Sequence, residues 1–134
     1  MGDTTVCPTT GIALPAEPRV VREARQFADL AAAACGFEDS ARFDIQLATS
    51  EAVSNAIVHG GGENGRTIRI TAVEEDGMLT FSVADSGSFV ARVDADDPLS
   101  ERGRGLACMA RVMDEVRIAS GEDGTLVRFS KRLP

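Results

Sequence analysis

From Ile68 to Val83 the chain alternates strictly: Ile68, Ile70 and Ala72, then Leu79, Phe81 and Val83, with Asp76-Gly77 between the two runs. A period of two sends one set of side chains to an apolar side and the other to water, and Asp-Gly is turn chemistry, so this stretch reads as a hairpin with one buried face. Such a hairpin is not stable alone; other elements must cover its apolar side. The segment before it supplies them at helical spacing. Val20, Ala24, Phe27, Ala31 and Cys35 recur three or four residues apart between Pro18 and Gly36. A second helix is predicted from Asp39 or Ser40 to His59, with Phe43, Leu47, Ala48, Ala52 and Ala56 as its apolar positions and Gly60 to Gly62 as its stop.

The remaining segments complete the pattern. Ile12 to Leu14 reads as a short strand ended by Pro15, and Met1 to Thr10 as a loose N-terminal arm (1–10) before one domain, 11–134. Ser86 to Arg102 lacks periodicity and carries Asp94, Asp96, Asp97 and Pro98, so a long loop is expected. A third helix is expected to open at Gly103-Arg104-Gly105, with Leu106, Met109, Ala110 and Met113 on one face. Val116 to Ala119, a turn at Gly121 to Gly124, and Thr125 to Lys131 form a second hairpin. The expected fold class is an α/β (α+β) two-layer sandwich, a sheet with its helices on one face.

Composition narrows the function classes. With six Phe and neither Trp nor Tyr, the core must rely on Val, Ile, Leu, Ala and Met. A net charge of −7 argues against a nucleic-acid surface, which needs clustered Lys and Arg. Cys7, Cys35 and Cys108 have no C-x-x-C spacing, so no zinc site or disulfide framework is read from them; Cys35 and Cys108 read as small core fillers. No signal peptide and no run of membrane-spanning length is present, and a cytoplasmic location is the expectation.

Three stretches carry chemistry. Glu51, Asn55 and His59 are spaced by four and stack along one face of the second helix beside small apolar neighbours. They are either the solvated edge of an amphipathic helix or part of a magnesium-nucleotide site. Mg²⁺ takes hard oxygen ligands and needs only one or two protein groups beside the phosphates, a role open to the Asn55 carbonyl oxygen. One turn earlier, Glu51 is placed to accept a proton or orient an attacking group. His59, the only histidine, reads as structural. In the second stretch, Asp85 points the same way as Leu79, Phe81 and Val83, so its carboxylate needs a donor. An adenine amino group suits it, with Gly87 allowing close backbone approach; a plain Asp-x-Gly turn is the other reading. Third, Gly103 and Gly105 open a helix whose free N–H groups suit a phosphate, with Arg104 adding charge, unless the glycines are only a flexible entry.

Negative evidence removes two other nucleotide architectures. Lys131 is the only lysine and no G-x-x-x-x-G-K-[ST] occurs, which excludes a P-loop and the strand-borne lysine of the common protein kinase fold. The order Glu-x-x-x-Asn on a helix, Asp-x-Gly after a strand, Gly-x-Gly opening a helix and Gly-Thr before a last strand resembles the Bergerat ATP-binding fold of the GHKL superfamily. Phe43 through Glu51, Asn55 through Gly60, Gly103-Arg104-Gly105-Leu106, Met113 through Val116 and Gly124 through Phe129 are similar to the small anti-sigma factor serine/threonine kinases. The resemblance covers nearly the whole chain, from Gly11 to Pro134.

The resemblance implies a mixed, mainly antiparallel sheet, ATP and Mg²⁺ as ligands, and Asn55 as the metal ligand. It implies Glu51 as the base, and Asp85, Gly87 and Thr125 around adenine. Gly103, Arg104, Gly105 and Leu106 would line the phosphates beneath a lid from Phe89 to Arg102. Implied partners are a sigma factor and a STAS-domain anti-sigma factor antagonist that is phosphorylated on serine or threonine; a homodimer is compatible with the resemblance. Many members carry a second glycine in the Asp-x-Gly box, where this chain has Ser88-Phe89. The alternative is a non-catalytic nucleotide-binding module that inhibits by contact alone. A detached histidine-kinase domain would need a phospho-accepting histidine on a dimerisation helix, and the chain has none.

Overall fold

The computed structural model describes residues 10–59, 66–85, 101–121 and 124–134, with only the backbone of 59, 101–106 and 120–121. Five strands, β1 (Thr10–Pro15), β2 (Thr67–Glu75), β3 (Met78–Asp85), β4 (Glu115–Gly121) and β5 (Gly124–Arg132), form one sheet in the order β1-β2-β3-β5-β4. All four pairings are antiparallel. Helices α1 (Val21–Ala34), α2 (Asp39–His59) and α3 (Glu101–Val112) complete the described elements, and a single 3₁₀ turn, Pro18–Val20, leads into α1.

The first hairpin forms as expected. Glu75 pairs with Met78 across a two-residue turn in which Asp76 (φ 55°) and Gly77 (φ 77°) both take positive φ, the backbone that matches the twist of the strands it joins. Alternation then decides the faces: Ile68, Ile70, Ala72, Leu79, Phe81, Val83 and Asp85 are buried. Register carries the rows across the sheet, and Phe81 lies opposite Phe129 with their rings stacked, centroids 5.4 Å apart. Both rings are fully buried, so two of the six phenylalanines hold the middle of an otherwise aliphatic core.

Helix α2 packs between α1 and α3. Its buried positions are Ile45, Ala48, Thr49, Ala52, Val53 and Ala56. This corrects the expected seam: Phe43 is 65% exposed and Leu47 only half-buried. A helix flanked on two sides has a broad buried arc, and Ile45 and Val53 lie nearer its centre. Small residues at 48, 52 and 56 let the helix lie close to its neighbours. The C-terminal end of α1 is closed by Gly36 at φ 89°, with Phe37 N–H donating to Ala32 O and Gly36 N–H to Ala33 O. Cys35, just past the helix, is half-buried against the core as expected and is also disulfide-bonded, whereas Cys108 is a half-exposed free thiol.

Two boundaries move. Thr10, assigned to the arm, starts β1 because it pairs with Ala72; the rest of the arm lies outside the described residues. Helix α3 begins at Glu101, two residues before the expected entry at Gly103, so Gly103 and Gly105 sit within its first turns. The rest of the expected loop, 86–100, lies outside the described residues. At the opposite end of α3, the lone lysine ties layers together. Lys131 Nζ donates to Val112 O at 2.6 Å and lies 3.7 Å from Asp44 Oδ2.

Between α1 and α2, Arg42 grips Asp29 with two parallel bonds, Nε to Oδ1 at 2.8 Å and Nη2 to Oδ2 at 2.9 Å, and Gln46 adds a third at 3.2 Å. The hydrogen bonds from Arg42 hold the Asp29 carboxyl below its ordinary value of 3.8. A lowered carboxyl stabilises the fold above its unfolded value and stops doing so as pH falls through the folded one. Urea unfolding from about pH 6 to about pH 2 should therefore show a steeper acid loss in the wild type than in Arg42→Ala. Phe81→Ala, which empties half of the central ring stack, should lower stability by about 3–5 kcal/mol in the same assay at neutral pH.

Candidate functional site

The apolar rows of the inner sheet face end in a polar one. Ile68, Asp85 and Thr125 stand opposite one another on β2, β3 and β5. Asp85 is 3% exposed and Thr125 8%. Period two thus places the carboxylate under the helix layer, as the sequence led us to expect, and brings Thr125 directly beside it. An ionised carboxylate in such surroundings must be met by a donor or a positive charge.

Sequence reasoning missed the residue that meets it. Arg66 precedes β2, is itself buried, and holds Nε 3.4 Å from Asp85 Oδ1. Its Nη2 donates to Ala56 O at 2.9 Å, and its own carbonyl accepts from Ala16 N–H at 3.0 Å. A signal was there: counting back by twos from Ile70 and Ile68 puts residue 66 on the inner face, where an arginine is out of place unless it is paired. Arg66 thus also reaches the last turn of α2, which ends at His59.

The other predicted residues sit on elements that lead to this end of the sheet. Glu51 and Asn55 are one turn apart on α2 and half-buried, each followed by a buried alanine, Ala52 or Ala56. They border the buried seam without entering it, and Asn55 lies next to the carbonyl that Arg66 holds. Gly103 and Arg104 fall among the first four residues of α3, whose N–H groups have no intrahelical acceptor. Gly105 and Leu106 come after them, a consequence of the earlier helix start, so the N–H of Gly105 belongs to the helix's own ladder. Gly87 lies outside the described residues, as does most of the expected lid.

The donor set fits a nucleotide with magnesium. A carboxylate has about four lone-pair positions and can serve an arginine and a base amine together. Asn55 offers the single hard oxygen that a phosphate-bound Mg²⁺ requires. Among the described residues no cluster of three or more His, Cys, Asp or Glu could hold a metal ion by itself, and no helix is long and apolar enough to cross a membrane.

Comparison with known proteins agrees with this fold. Residues 14–131 match the family model of the histidine kinase-like ATPase domain. The anti-sigma F factor of Clostridium acetobutylicum is 35% identical over 98 residues, 66% of this chain and 68% of the relative. That of Heyndrickxia coagulans is 37% identical over 99 residues, 66% and 67% of the two chains. Among solved structures, the RsbU and RsbW domains of a Mycobacterium tuberculosis protein match with a TM-score of 0.74 and 30% identity. That match covers 94% of this chain, which spans only 32% of the other. The histidine kinase domain of a blue-light activated histidine kinase from Erythrobacter litoralis shares the fold, with a TM-score of 0.60 at 17% identity, over 90% of this chain and 62% of that one. The chain belongs to the histidine kinase-like ATPase domain family and, within the GHKL superfamily, to the anti-sigma factor kinases.

Proposed function

We propose that this protein binds Mg-ATP, sequesters a sigma factor, and transfers the γ-phosphoryl group to a serine or threonine of a STAS-domain anti-sigma factor antagonist. The observation that carries the reading is the buried Asp85 facing the helix layer with Thr125 opposite, in a chain whose neighbouring helix bears Glu51 and Asn55. Support for the partners comes from the relatives named anti-sigma F factors and from the RsbW domain match.

In this reading Asp85 accepts the adenine amino group, with Gly87 and Thr125 beside the base. Gly103, Arg104, Gly105 and Leu106 line the phosphates, the free N–H groups at the start of α3 facing negative charge at the positive end of the helix dipole. Asn55 holds the magnesium ion, whose charge offsets that of the phosphates. Glu51 takes the proton from the incoming hydroxyl as its oxygen bonds to the γ-phosphorus and the bond from that phosphorus to the β–γ bridging oxygen breaks, leaving ADP. The protein's contribution is then mostly positioning and charge, with the proton acceptor one helical turn from the metal ligand.

Two measurements test this. Calorimetry with ADP and magnesium should show binding by the wild type, weakened by about 1–3 kcal/mol in Asp85→Asn, which keeps the shape and replaces an acceptor oxygen with a donor. No heat at millimolar nucleotide would remove the kinase reading. Glu51→Gln should keep nucleotide and sigma-factor binding nearly intact while labelling of the antagonist from radioactive ATP falls at least about a hundredfold. Equal labelling by both proteins would sink the role assigned to Glu51, and binding without any labelling by the wild type would favour the contact-only module.

A further inference from the structure

We propose that Arg66 is a positioning residue of the nucleotide site, fixing the Asp85 carboxylate as acceptor for the adenine amino group and tying it to the turn of α2 that carries Asn55. The proposal rests on the nucleotide-binding reading above. It names a residue that stands outside every motif singled out in the sequence.

The geometry is that of one guanidinium serving two layers. Nη2 is committed to Ala56 O on the helix side at 2.9 Å, and Nε faces Asp85 Oδ1 on the sheet side at 3.4 Å. The side chains of Arg66 and Asp85 are 5% and 2% exposed, so little water screens the attraction between them. The arginine is anchored at its root as well, because its carbonyl accepts from Ala16 N–H beyond the end of β1. The hydrogen bond to Ala56 O holds one edge of the planar guanidinium, and burial leaves it little room to turn away from the carboxylate. The carboxylate it faces therefore has a fixed positive neighbour on its Oδ1 side, which favours one orientation.

This arrangement has a consequence for specificity. An acceptor-only carboxylate welcomes the amino group of adenine and rejects guanine, whose oxygen at the same ring position would meet it lone pair to lone pair. Discrimination of this kind depends on the acceptor being correctly aimed. A buried arginine beside it provides that aim. Ala56 follows Asn55 directly, so the same guanidinium also sets the base end of the site against the helical turn proposed to hold the metal.

The test is a double-mutant cycle of Arg66→Met and Asp85→Asn, read as affinity for ADP and for GDP in the presence of magnesium. Methionine keeps an unbranched stem of similar length without the charge. Arg66→Met should weaken ADP by about tenfold or more and change GDP by less than about twofold, so that base discrimination falls. In the Asp85→Asn background the same substitution should have almost no further effect on ADP, because the residue acts through that carboxylate. Arg66→Lys, which keeps the charge and loses the fork, should recover part of the discrimination, and it carries the comparison should the methionine variant not fold. Equal weakening of ADP and GDP, losses that add in the double variant, or tighter ADP binding by Arg66→Met would each overturn the role. A wild type that binds no ADP removes the nucleotide reading and this role with it, whereas binding with additive losses removes this role alone.

Discussion

Strand β3 can offer the helices only one face, and the inner rows of the sheet are organised around that fact. It lies between β2 and β5, so its inward side chains sit at the centre of rows that run across three or more strands. Phe81 and Val83 are met across the strands by apolar partners, Ala72 and Phe129, and Ile70 and Val127, and burial of the Phe81–Phe129 stack removes the largest side chains of the core from water. The same alternation continues one step further and brings in Asp85. Nothing in the pleat lets the strand switch faces there, so the carboxylate goes under the helices because Phe81 and Val83 do.

That continuity turns a packing rule into a site. A buried carboxylate is costly unless charge and hydrogen bonds meet it, and Arg66 supplies the charge from the neighbouring strand's entry. The arginine would be costly in its turn, and its second contact goes to the Ala56 carbonyl in the last turn of α2. One ion pair thereby answers the needs of the carboxylate and the guanidinium and joins the sheet to the last turn of α2. It also ties the last turn of α2 to the end of β3.

The helix layer is arranged to allow this closeness. Ala48, Ala52 and Ala56 on α2, and Ala24, Ala28, Ala31 and Ala32 on α1, are buried residues with small side chains, so the two helices approach each other and the sheet closely. Glu51 and Asn55 can then border the buried seam half-covered instead of standing fully in solvent. On the outer side of the same layer, Asp29 and Arg42 lock α1 to α2 with a bidentate pair, and at the far end Lys131 holds α3 and α2 to the last strand. Rigid support of this kind matters where chemistry depends on placement more than on covalent participation.

Local rules in the amino-acid sequence determined a good deal of this protein. Period-two alternation and Asp76-Gly77 were sufficient for the hairpin, for its buried face and for the inward direction of Asp85, since side-chain direction in a strand follows from counting. Helical spacing and the glycines after Ala34 and His59 were sufficient for the existence of α1 and α2 and for where each ends, while Pro18–Val20 formed a 3₁₀ turn ahead of α1. The motif order, from Glu51 and Asn55 through Thr125, was sufficient for the family. Tertiary structure decided what counting cannot reach. Which arc of α2 is buried depended on its having neighbours on both sides, so Ile45 and Val53 displaced Phe43 and Leu47. The start of α3 moved to Glu101 because glycines reveal where a backbone can bend and not where hydrogen bonding begins. Arg66 was legible only as a misplaced charge at an inward position. Its meaning required two partners, Asp85 nineteen residues on and Ala56 ten residues back, which only the folded chain brings to one guanidinium.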